Sequence, residues 1–412
     1  MVVTFEELYQ GNVEAQKARY ETITAGYEEC YGKAQELSYF SAPGRTEVGG
    51  NHTDHNHGCV LAAAVNLDIV AAAAKNDDNV VRLKSLEYPG MDVIDLNDLA
   101  PQEKEMEKAA SLIRGVCARC RELGYTVGGF NAYTATQVLK GSGLSSSAAF
   151  EVVIVTAISH LFNDGAIDAV IAAQIAQYAE NVYFGKPSGL MDQTASSVGG
   201  FTAIDFHDPK KPVLEKVDFD LAKYNHALCI VDTGGNHADL TGDYAAIPVE
   251  MKSVARLLGA EVLRDADEGE FWNRLGELRQ KVGDRAVLRA MHFFSDNRTA
   301  QEEAALLKAG DFDGFKEKII ASGRSSATRL QNVFACSNPS EQGLSLALAV
   351  SEKLLTGKGA WRVHGGGFAG TIQAFVPVEM LEEYRSAMEA VFGEGTCHVL
   401  SIRSAGGVQV KI

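Results

Sequence analysis

One segment, residues 141–148, constrains the fold more than any other part of this chain. It reads GSGLSSSA and leads into an apolar run, 150–161. Glycines let backbone N–H groups approach an anion closely, and the first turn of a helix leaves four N–H donors unpaired. Because the partial positive charge of such a turn suits a phosphate, the segment predicts a phosphate-binding loop at the start of a helix. A Gly-Ser loop that simply caps a buried helix fits the same residues.

Length and charge narrow the classes of protein. A chain of 412 residues is long enough for more than one hydrophobic core, which predicts two domains. Its 54 acidic residues outweigh 38 basic ones, and the formal charge of −16 argues against a nucleic-acid or anionic-membrane partner. No run approaches the ~18 apolar residues of a membrane span, and the first residues lack the pattern of a signal peptide. We therefore expect a cytoplasmic protein, and a monomer.

Helical and strand patterns alternate along the chain, which predicts a mixed α/β (α+β) fold. The apolar stretch 60–73 predicts a buried strand, 130–139 a strand before the glycine segment, and 38–43 a short strand or turn. A boundary near residue 212 is expected to separate a first domain, 1–212, from a second, 213–412. Helices are expected over 5–33 (two helices), 101–123, 167–184, 190–198, 244–258, 271–282, 284–297, 311–330, 339–355 and 380–392.

Polar side chains are concentrated in residues 43–58, directly before the apolar stretch. This motif reads PGRTEVGGNHTDHNHG. Hydrogen-bonding groups of several types suit a polyhydroxylated ligand, because a missing hydroxyl would leave buried polar groups unpaired. A polar surface loop is an alternative. A metal site is another, with Asp54, His52, His55 and His57 as its candidate ligands.

Two further motifs combine glycines with chemically active side chains. Residues 184–193 read FGKPSGLMDQ and follow Glu180; at the start of a helix the dipole favours ionised Asp192, which can equally be a plain cap. Residues 364–370 read HGGGFAG between two expected strands. The triple glycine permits either a close backbone approach to a ligand or a tight hairpin.

In this order the four motifs resemble those of the GHMP small-molecule kinases, and within them the galactokinase group. Each motif is weak alone, but the resemblance covers nearly the whole chain. It implies an N-terminal domain like ribosomal protein S5 domain 2 and a ferredoxin-like C-terminal domain, with the active site between them. It also implies transfer of the γ-phosphoryl group of ATP to the anomeric hydroxyl of α-D-galactose, with Mg²⁺ as the metal.

The resemblance also implies a role for each motif residue. Asp192 would be the catalytic carboxylate, with Arg45 as the cation beside it, and Ser147 and Glu180 would hold magnesium. Because Arg45 would keep Asp192 ionised, and so a poor base, we expect Asp192 chiefly to orient the sugar hydroxyl. The nucleotide would be contacted by Gly141, Ser142, Gly143, Leu144, Ser145, Ser146, Ser147 and Ser85. The sugar would be contacted by Asn51, His52, Thr53, Asp54, Gly189, Asp192 and Tyr244.

The motifs depart from the galactokinase pattern at four positions. Glu47 stands where that group has Asn, Asn51 where it has Glu, His55 where it has Tyr, and Ser188 where it commonly has Cys. In the group, the replaced Glu binds the 6-hydroxyl of the sugar. A neutral Asn51 would weaken that contact and would not repel a C6 carboxylate, for which Lys186 is the one candidate partner. Galacturonate and N-acetylgalactosamine are therefore alternative substrates.

A non-catalytic sugar and ATP sensor is the alternative from a different class of protein. Relatives of that kind carry alterations in the serine-rich loop, whereas residues 145–149 are intact in this chain. Arg45, Glu180 and Asp192 are also present. The sequence therefore favours an enzyme over a sensor.

Overall fold

Two β-sheets organise the computed structural model, which describes residues 1–9, 12–138, 143–235 and 240–412. The strands are β1 (Val2–Thr4), β2 (Ser38–Gly49), β3 (Cys59–Lys75), β4 (Val80–Ser85), β5 (Met91–Asp95), β6 (Phe130–Thr136), β7 (Phe201–Asp205), β8 (Val213–Val217), β9 (His226–Asp232), β10 (Ala360–Val363), β11 (Thr371–Pro377), β12 (Cys397–Leu400) and β13 (Val408–Lys411). The helices are α1 (Phe5–Leu8), α2 (Val13–Tyr31), α3 (Ala109–Glu122), α4 (Ser146–Phe162), α5 (Ala169–Tyr178), α6 (Met191–Val198), α7 (Thr241–Leu257), α8 (Glu268–Asn273), α9 (Leu275–Val282), α10 (Asp284–Ala309), α11 (Phe312–Ser325), α12 (Gly343–Leu355) and α13 (Leu381–Phe392).

The larger sheet is mixed and the smaller one is antiparallel. In the larger sheet the strand order is β1-β13-β2-β3-β6-β4-β5, with β7 paired to β3 and β8 paired to β7. In the smaller sheet the order is β10-β11-β9-β12, and all its pairs are antiparallel. Helices pack on both sheets, so the predicted mixed α/β fold is confirmed.

Strand β3 lies at the centre of the larger sheet and is buried on both faces. Ala71 and Ala73 pack into the core that contains α3, α4 and α5, whereas Val70 and Ala72 pack into a second core formed with α2. Successive side chains of a strand point to opposite faces, so an apolar residue is needed at nearly every position. This explains the long apolar stretch from which the sequence predicts a buried strand.

The smaller sheet shares one of its faces with the core of the larger sheet. On β9, Leu228 and Ile230 belong to the same hydrophobic cluster as the centre of the larger sheet. The alternate residues Cys229 and Val231 pack in a separate cluster with residues of α12 and α13. The cleft residues described below are therefore held between two sheets that have a common apolar contact.

Two strands from beyond residue 212 belong to the larger sheet. β8 extends it beside β7, and β13 lies between β1 and β2. The division of the chain into residues 1–212 and 213–412 stays a prediction, but the second half contributes directly to the sheet that the first half builds.

The structure differs from the sequence predictions mainly at element boundaries. β2 is not confined to 38–43 but runs to Gly49, because residues of the polar motif pair with β3. The helix expected over 271–282 is two helices that meet at Arg274, and α10 continues to Ala309 rather than ending at Asn297. Strands β1, β5, β7 and β8 were not predicted. No helix in the described ranges is long and apolar enough to cross a membrane.

Gly199 connects α6 to β7 where the segment before β13 crosses it. Its φ is +79°, and a side chain there would collide with the backbone of Gly406 and Ala405. We expect Gly199→Ala to lower the free energy of unfolding by about 2 kcal/mol or more, measured by urea denaturation. As a control, Gly276→Ala lies within α9 with open space around it and should be neutral or slightly stabilising. Equal effects of the two substitutions would contradict this prediction.

Candidate active site

Arg45 and Asp192 form the central ion pair of the site. Arg45 lies on β2 between two irregularities in its pairing with β3, one after Pro43 and one before Gly49. Such bulges are common beside active sites because they re-aim a side chain. Arg45 Nε and Nη2 donate to Asp192 Oδ1 and Oδ2, each at 2.7 Å. This bidentate contact joins the polar motif, residues 43–58, to the motif of residues 184–193. The side chains of Arg45 and Asp192 are only 8% and 23% exposed.

The serine-rich turn meets the same carboxylate. Ser145 has a left-handed backbone, with φ +56°, and α4 begins at the next residue. Ser145 Oγ donates to Asp192 Oδ2 at 2.7 Å. The Arg45 backbone N–H donates to Leu144 O at 3.0 Å, and its guanidinium to Gly143 O. The predicted loop at the start of a helix is therefore confirmed for its described part, residues 143–147.

Two predicted phosphate-loop residues, Gly141 and Ser142, lie outside the described residues. Their contact with the nucleotide stays a prediction, as does that of Ser146, which opens α4. Ser85, at the end of β4, shares a hydrogen bond of 2.7 Å with Thr134 Oγ1 on β6. Its contact with the nucleotide likewise stays a prediction.

Ser147 and Glu180 lie together on the other side of the turn. Glu180 lies in a π-helical turn, Ala179–Phe184, a type of irregularity that is frequent at functional sites. Ser147 Oγ donates to Glu180 Oε1 at 2.9 Å, and Lys186 Nζ donates to the same oxygen at 2.9 Å. Gln193 Nε2 donates to Glu180 Oε2 at 2.8 Å. The two predicted magnesium ligands are thus adjacent, and both oxygens of Glu180 are bonded.

The electrostatics of the site keep Asp192 ionised. Burial alone would raise the pKa of Asp192, but the Arg45 guanidinium and the Ser145 hydroxyl hold that pKa below its usual value. The pKa of Arg45 is raised, because Asp192 outweighs the cost of burial. At neutral pH the pair is therefore fully charged, and Asp192 is an acceptor of hydrogen bonds and a poor base.

Glu151, whose position on α4 drew no prediction, has the opposite protonation state. Burial and the nearby charge of Glu180 raise the pKa of Glu151 well above its ordinary value. Gln193 Nε2 lies 3.2 Å from Glu151 Oε2 and also donates to Glu180. Gln193 thus connects the two acids. The only sequence signal for it was its place directly after Asp192.

Asp54 and His52 bring the polar motif to the other motifs. The Asp54 carboxylate occupies the space where a side chain at residue 189 would begin, so any residue larger than Gly189 would displace this carboxylate. His52 Nε2 lies 2.8 Å from Gly366 O, and burial lowers the pKa of His52 to about 4. The imidazole is therefore neutral and donates from Nε2 to this carbonyl. The polar motif thus contacts both the motif of residues 184–193 and the glycine motif of residues 364–370.

Comparison with known proteins agrees with this arrangement of four motifs. The galactokinase galactose-binding signature matches residues 25–75, and the GHMP kinase N-terminal domain matches residues 111–200. A galactokinase from Streptomyces coelicolor is 32% identical over 375 residues, which are 90% of this chain and 92% of that protein. One from Streptomyces lividans is 31% identical over 378 residues, 90% of each chain. The chain belongs to the galactokinase family.

The fold of this galactokinase-family protein matches solved structures over nearly its whole length. The crystal structure of Lactococcus lactis galactokinase complexed with galactose gives a TM-score of 0.81 at 23% identity, and the match covers 95% of this chain and 99% of that one. A mevalonate kinase gives a TM-score of 0.63 at 12% identity. The predicted two-domain GHMP kinase fold is therefore confirmed, and the chain is an ATP-dependent kinase of the sugar-kinase type.

Tyr244, on α7, contacts the glycine motif of residues 364–370. Its hydroxyl donates to Gly367 O at 2.7 Å, and its ring packs edge-on against Phe368 with 5.3 Å between the ring centroids. Burial raises the pKa of Tyr244 to about 12, so the hydroxyl stays protonated. The structure places Tyr244 at the glycine turn, and its contact with the sugar stays a prediction.

Asn51 has its side-chain amide bonded within the protein, and its contact with the sugar stays a prediction. The side chain is fully buried. Its amide nitrogen donates to Glu47 Oε1 at 2.8 Å and to Gly365 O at 2.7 Å. Its amide oxygen accepts from Asn332 Nδ2 at 2.8 Å and from Ser326 Oγ at 3.2 Å. These four contacts occupy the whole amide, so the predicted contact with the sugar would require at least one of them to break.

The hydroxyl of Thr53 is likewise bonded within the protein, and its contact with the sugar stays a prediction. Its side chain is fully buried, and its hydroxyl lies 2.9 Å from Gly50 O and 2.7 Å from Cys59 O. The hydroxyl therefore closes the turn between β2 and β3. No spacing in the sequence distinguishes such a turn-closing hydroxyl from one that faces a ligand.

The departures at Glu47 and Asn51 prove to be one coupled feature, because the two side chains contact each other. Glu47 Oε1 also accepts from Arg362 Nη2 at 2.9 Å, and Arg362 Nη1 donates to Val48 O at 2.9 Å. Arg362 is fully buried on β10. Compared with the galactokinase pattern, positions 47 and 51 therefore still hold one amide and one carboxylate, but with the two positions exchanged. The Glu47 carboxylate joins the polar motif to the smaller sheet.

Replacement of Asp192 should separate binding from turnover. We expect Asp192→Asn to lower kcat about 100-fold or more, because the neutral amide can neither take the proton of the sugar hydroxyl nor balance the charge of Arg45. Sugar affinity, measured by calorimetry, should change little. Asp77→Asn, on an exposed turn, is the matched control and should retain full turnover. Unimpaired ADP release by Asp192→Asn would refute the role of this carboxylate.

The coupling of Glu47 to Asn51 predicts a non-additive pair of substitutions. Asn51→Glu alone would place two buried carboxylates together and should lower the free energy of unfolding by about 3 kcal/mol. Glu47→Asn/Asn51→Glu restores one amide and one carboxylate and should recover at least about 1 kcal/mol of that loss. Urea denaturation of the two single variants and the double variant measures the coupling. Additive losses would contradict it.

Proposed function

We propose that the protein transfers the γ-phosphoryl group of ATP to the anomeric hydroxyl of α-D-galactose. One observation carries the proposal: a single ionised carboxylate, Asp192, lies 2.7 Å both from the serine-rich turn at Ser145 and from the Arg45 guanidinium. A phosphate held at the start of α4 and a sugar held near Asp54 would then meet at this carboxylate. One chain supplies all of these groups, which is consistent with the predicted monomer.

Positioning and charge neutralisation would supply most of the catalysis. Phosphoryl transfer has a loose transition state in which negative charge spreads over the phosphoryl oxygens, so little covalent work falls to the protein. The unpaired N–H groups at the start of α4, a helix of 17 residues, suit the phosphates. Asp192 would accept a hydrogen bond from the anomeric hydroxyl and aim its oxygen at phosphorus. With its low pKa, it would take the proton late in the step.

Ser147 and Glu180 fit a magnesium ion. Mg²⁺ prefers hard oxygen ligands and is usually held by one or two protein groups together with substrate phosphates. A hydroxyl and a carboxylate oxygen 2.9 Å apart at the start of α4 provide such a partial set. Among the described residues no three His, Cys, Asp or Glu side chains form a complete protein-only metal site. Ser147 and Glu180 would hold the ion, which would supply neutralisation of part of the phosphate charge.

A substrate panel tests the proposal. ADP release is measured at saturating Mg·ATP with galactose, galacturonate, N-acetylgalactosamine and mevalonate, and phosphorus NMR locates the new phosphate on the sugar. We expect galactose to give kcat/KM at least about tenfold above the others, with the phosphate on C1, because each lost or added polar contact is costly. Asp192→Asn serves as the inactive control.

Other outcomes of this panel point to the alternatives. A preference for galacturonate or N-acetylgalactosamine would replace galactose as the substrate while leaving the reaction type intact. Nucleotide binding without turnover on any of the four compounds would contradict the enzyme proposal and favour a sensor.

A further inference from the structure

A lysine without a predicted role in phosphate binding lies beside the proposed magnesium residues. Lys186 Nζ donates to Glu180 Oε1, the oxygen that also accepts from Ser147 Oγ, and both distances are 2.9 Å. The Lys186 side chain is 55% exposed, whereas that of Glu180 is 2% exposed. The ammonium group therefore reaches from the surface to the phosphate side of the site. Its pairing with a C6 carboxylate of a sugar stays an alternative.

Lys186 supplies the second of two cations that neutralise the two carboxylates of the site. Asp192 pairs with Arg45, and Glu180 pairs with Lys186, so that two carboxylates meet two cations. Burial opposes the charge on Lys186, but Glu180 outweighs it and raises the pKa of this lysine. Lys186 also contributes to the lowered pKa of Asp192, so its field reaches the carboxylate at which the substrates would meet.

Binding of the substrates would change which negative group Lys186 neutralises. Once Glu180 serves a divalent cation, Lys186 loses its counter-ion, while the triphosphate brings several negative charges to the same place. A lysine ammonium is a compact charge on a flexible four-carbon stem, and such groups commonly bind phosphates as point charges. We propose that Lys186 exchanges Glu180 for the γ-phosphoryl group when Mg·ATP binds, and so acts as a phosphate-binding cation on the side of the site opposite to the Asp192 partner Arg45. The inference rests on the proposed kinase function.

Calorimetry with two nucleotides tests this exchange without requiring turnover. Mg·AMP-PNP carries a third phosphoryl group and Mg·ADP does not. For Lys186→Met we expect the dissociation constant of Mg·AMP-PNP to rise about tenfold, and that of Mg·ADP and of galactose to change less than about twofold. Lys186→Arg should restore most of the affinity, and kcat should fall in Lys186→Met. Lys353→Met, exposed on α12, is the matched control and should leave all three constants unchanged.

Three results would overturn the inference. Equal weakening of Mg·ADP and Mg·AMP-PNP would place Lys186 elsewhere on the nucleotide, weaker sugar binding alone would place it at the sugar, and unchanged constants would leave it no role. Unfolding temperatures of all variants check that the fold is intact. If Lys186→Met proves unstable, Lys186→Gln is measured in the same way. An AMP-PNP-specific loss in a protein that phosphorylates none of the four test compounds would sustain this inference while the proposed substrate fails.

Discussion

The ion pair of Arg45 with Asp192 is the contact on which the arrangement of the site depends. It joins β2 of the larger sheet to the start of α6, and the same two residues bond to Ser145 and Leu144 at the serine-rich turn. A buried charge pair of this kind is stable only when further hydrogen bonds satisfy both partners. Here the bulged course of β2 makes that possible, because it aims the guanidinium at two segments that are distant in sequence, the start of α6 and the serine-rich turn.

Local sequence signals predicted much of this framework. The glycine and serine spacing of 143–147 predicted the loop before α4, and the apolar stretch at 60–73 predicted the central strand β3. The resemblance to the galactokinase group implied that Arg45 lies beside Asp192, and the two side chains are in contact. Nothing in their spacing along the sequence gives the distance between them.

Other features were not predictable because they depend on pairings between remote segments. The polar motif has two sides, and the sequence does not say that Asn51 and Thr53 face inward while Asp54 faces Gly189. The partners that bury Asn51, including Asn332, come from a distant part of the chain. Likewise, the insertion of β13 into the larger sheet leaves no local signal, since any short apolar strand has the same pattern.

The position of β13 has a consequence for how the protein is made. β2 hydrogen-bonds to β3 on one side and to β13 on the other, so its second neighbour appears only after residues 50–407 have left the ribosome. During synthesis the exposed edge of β2 is a site for unwanted strand pairing, and contacts of such long range form slowly. We therefore expect the nascent protein to depend on chaperones until β13 is available, even though its first half already contains most of the larger sheet.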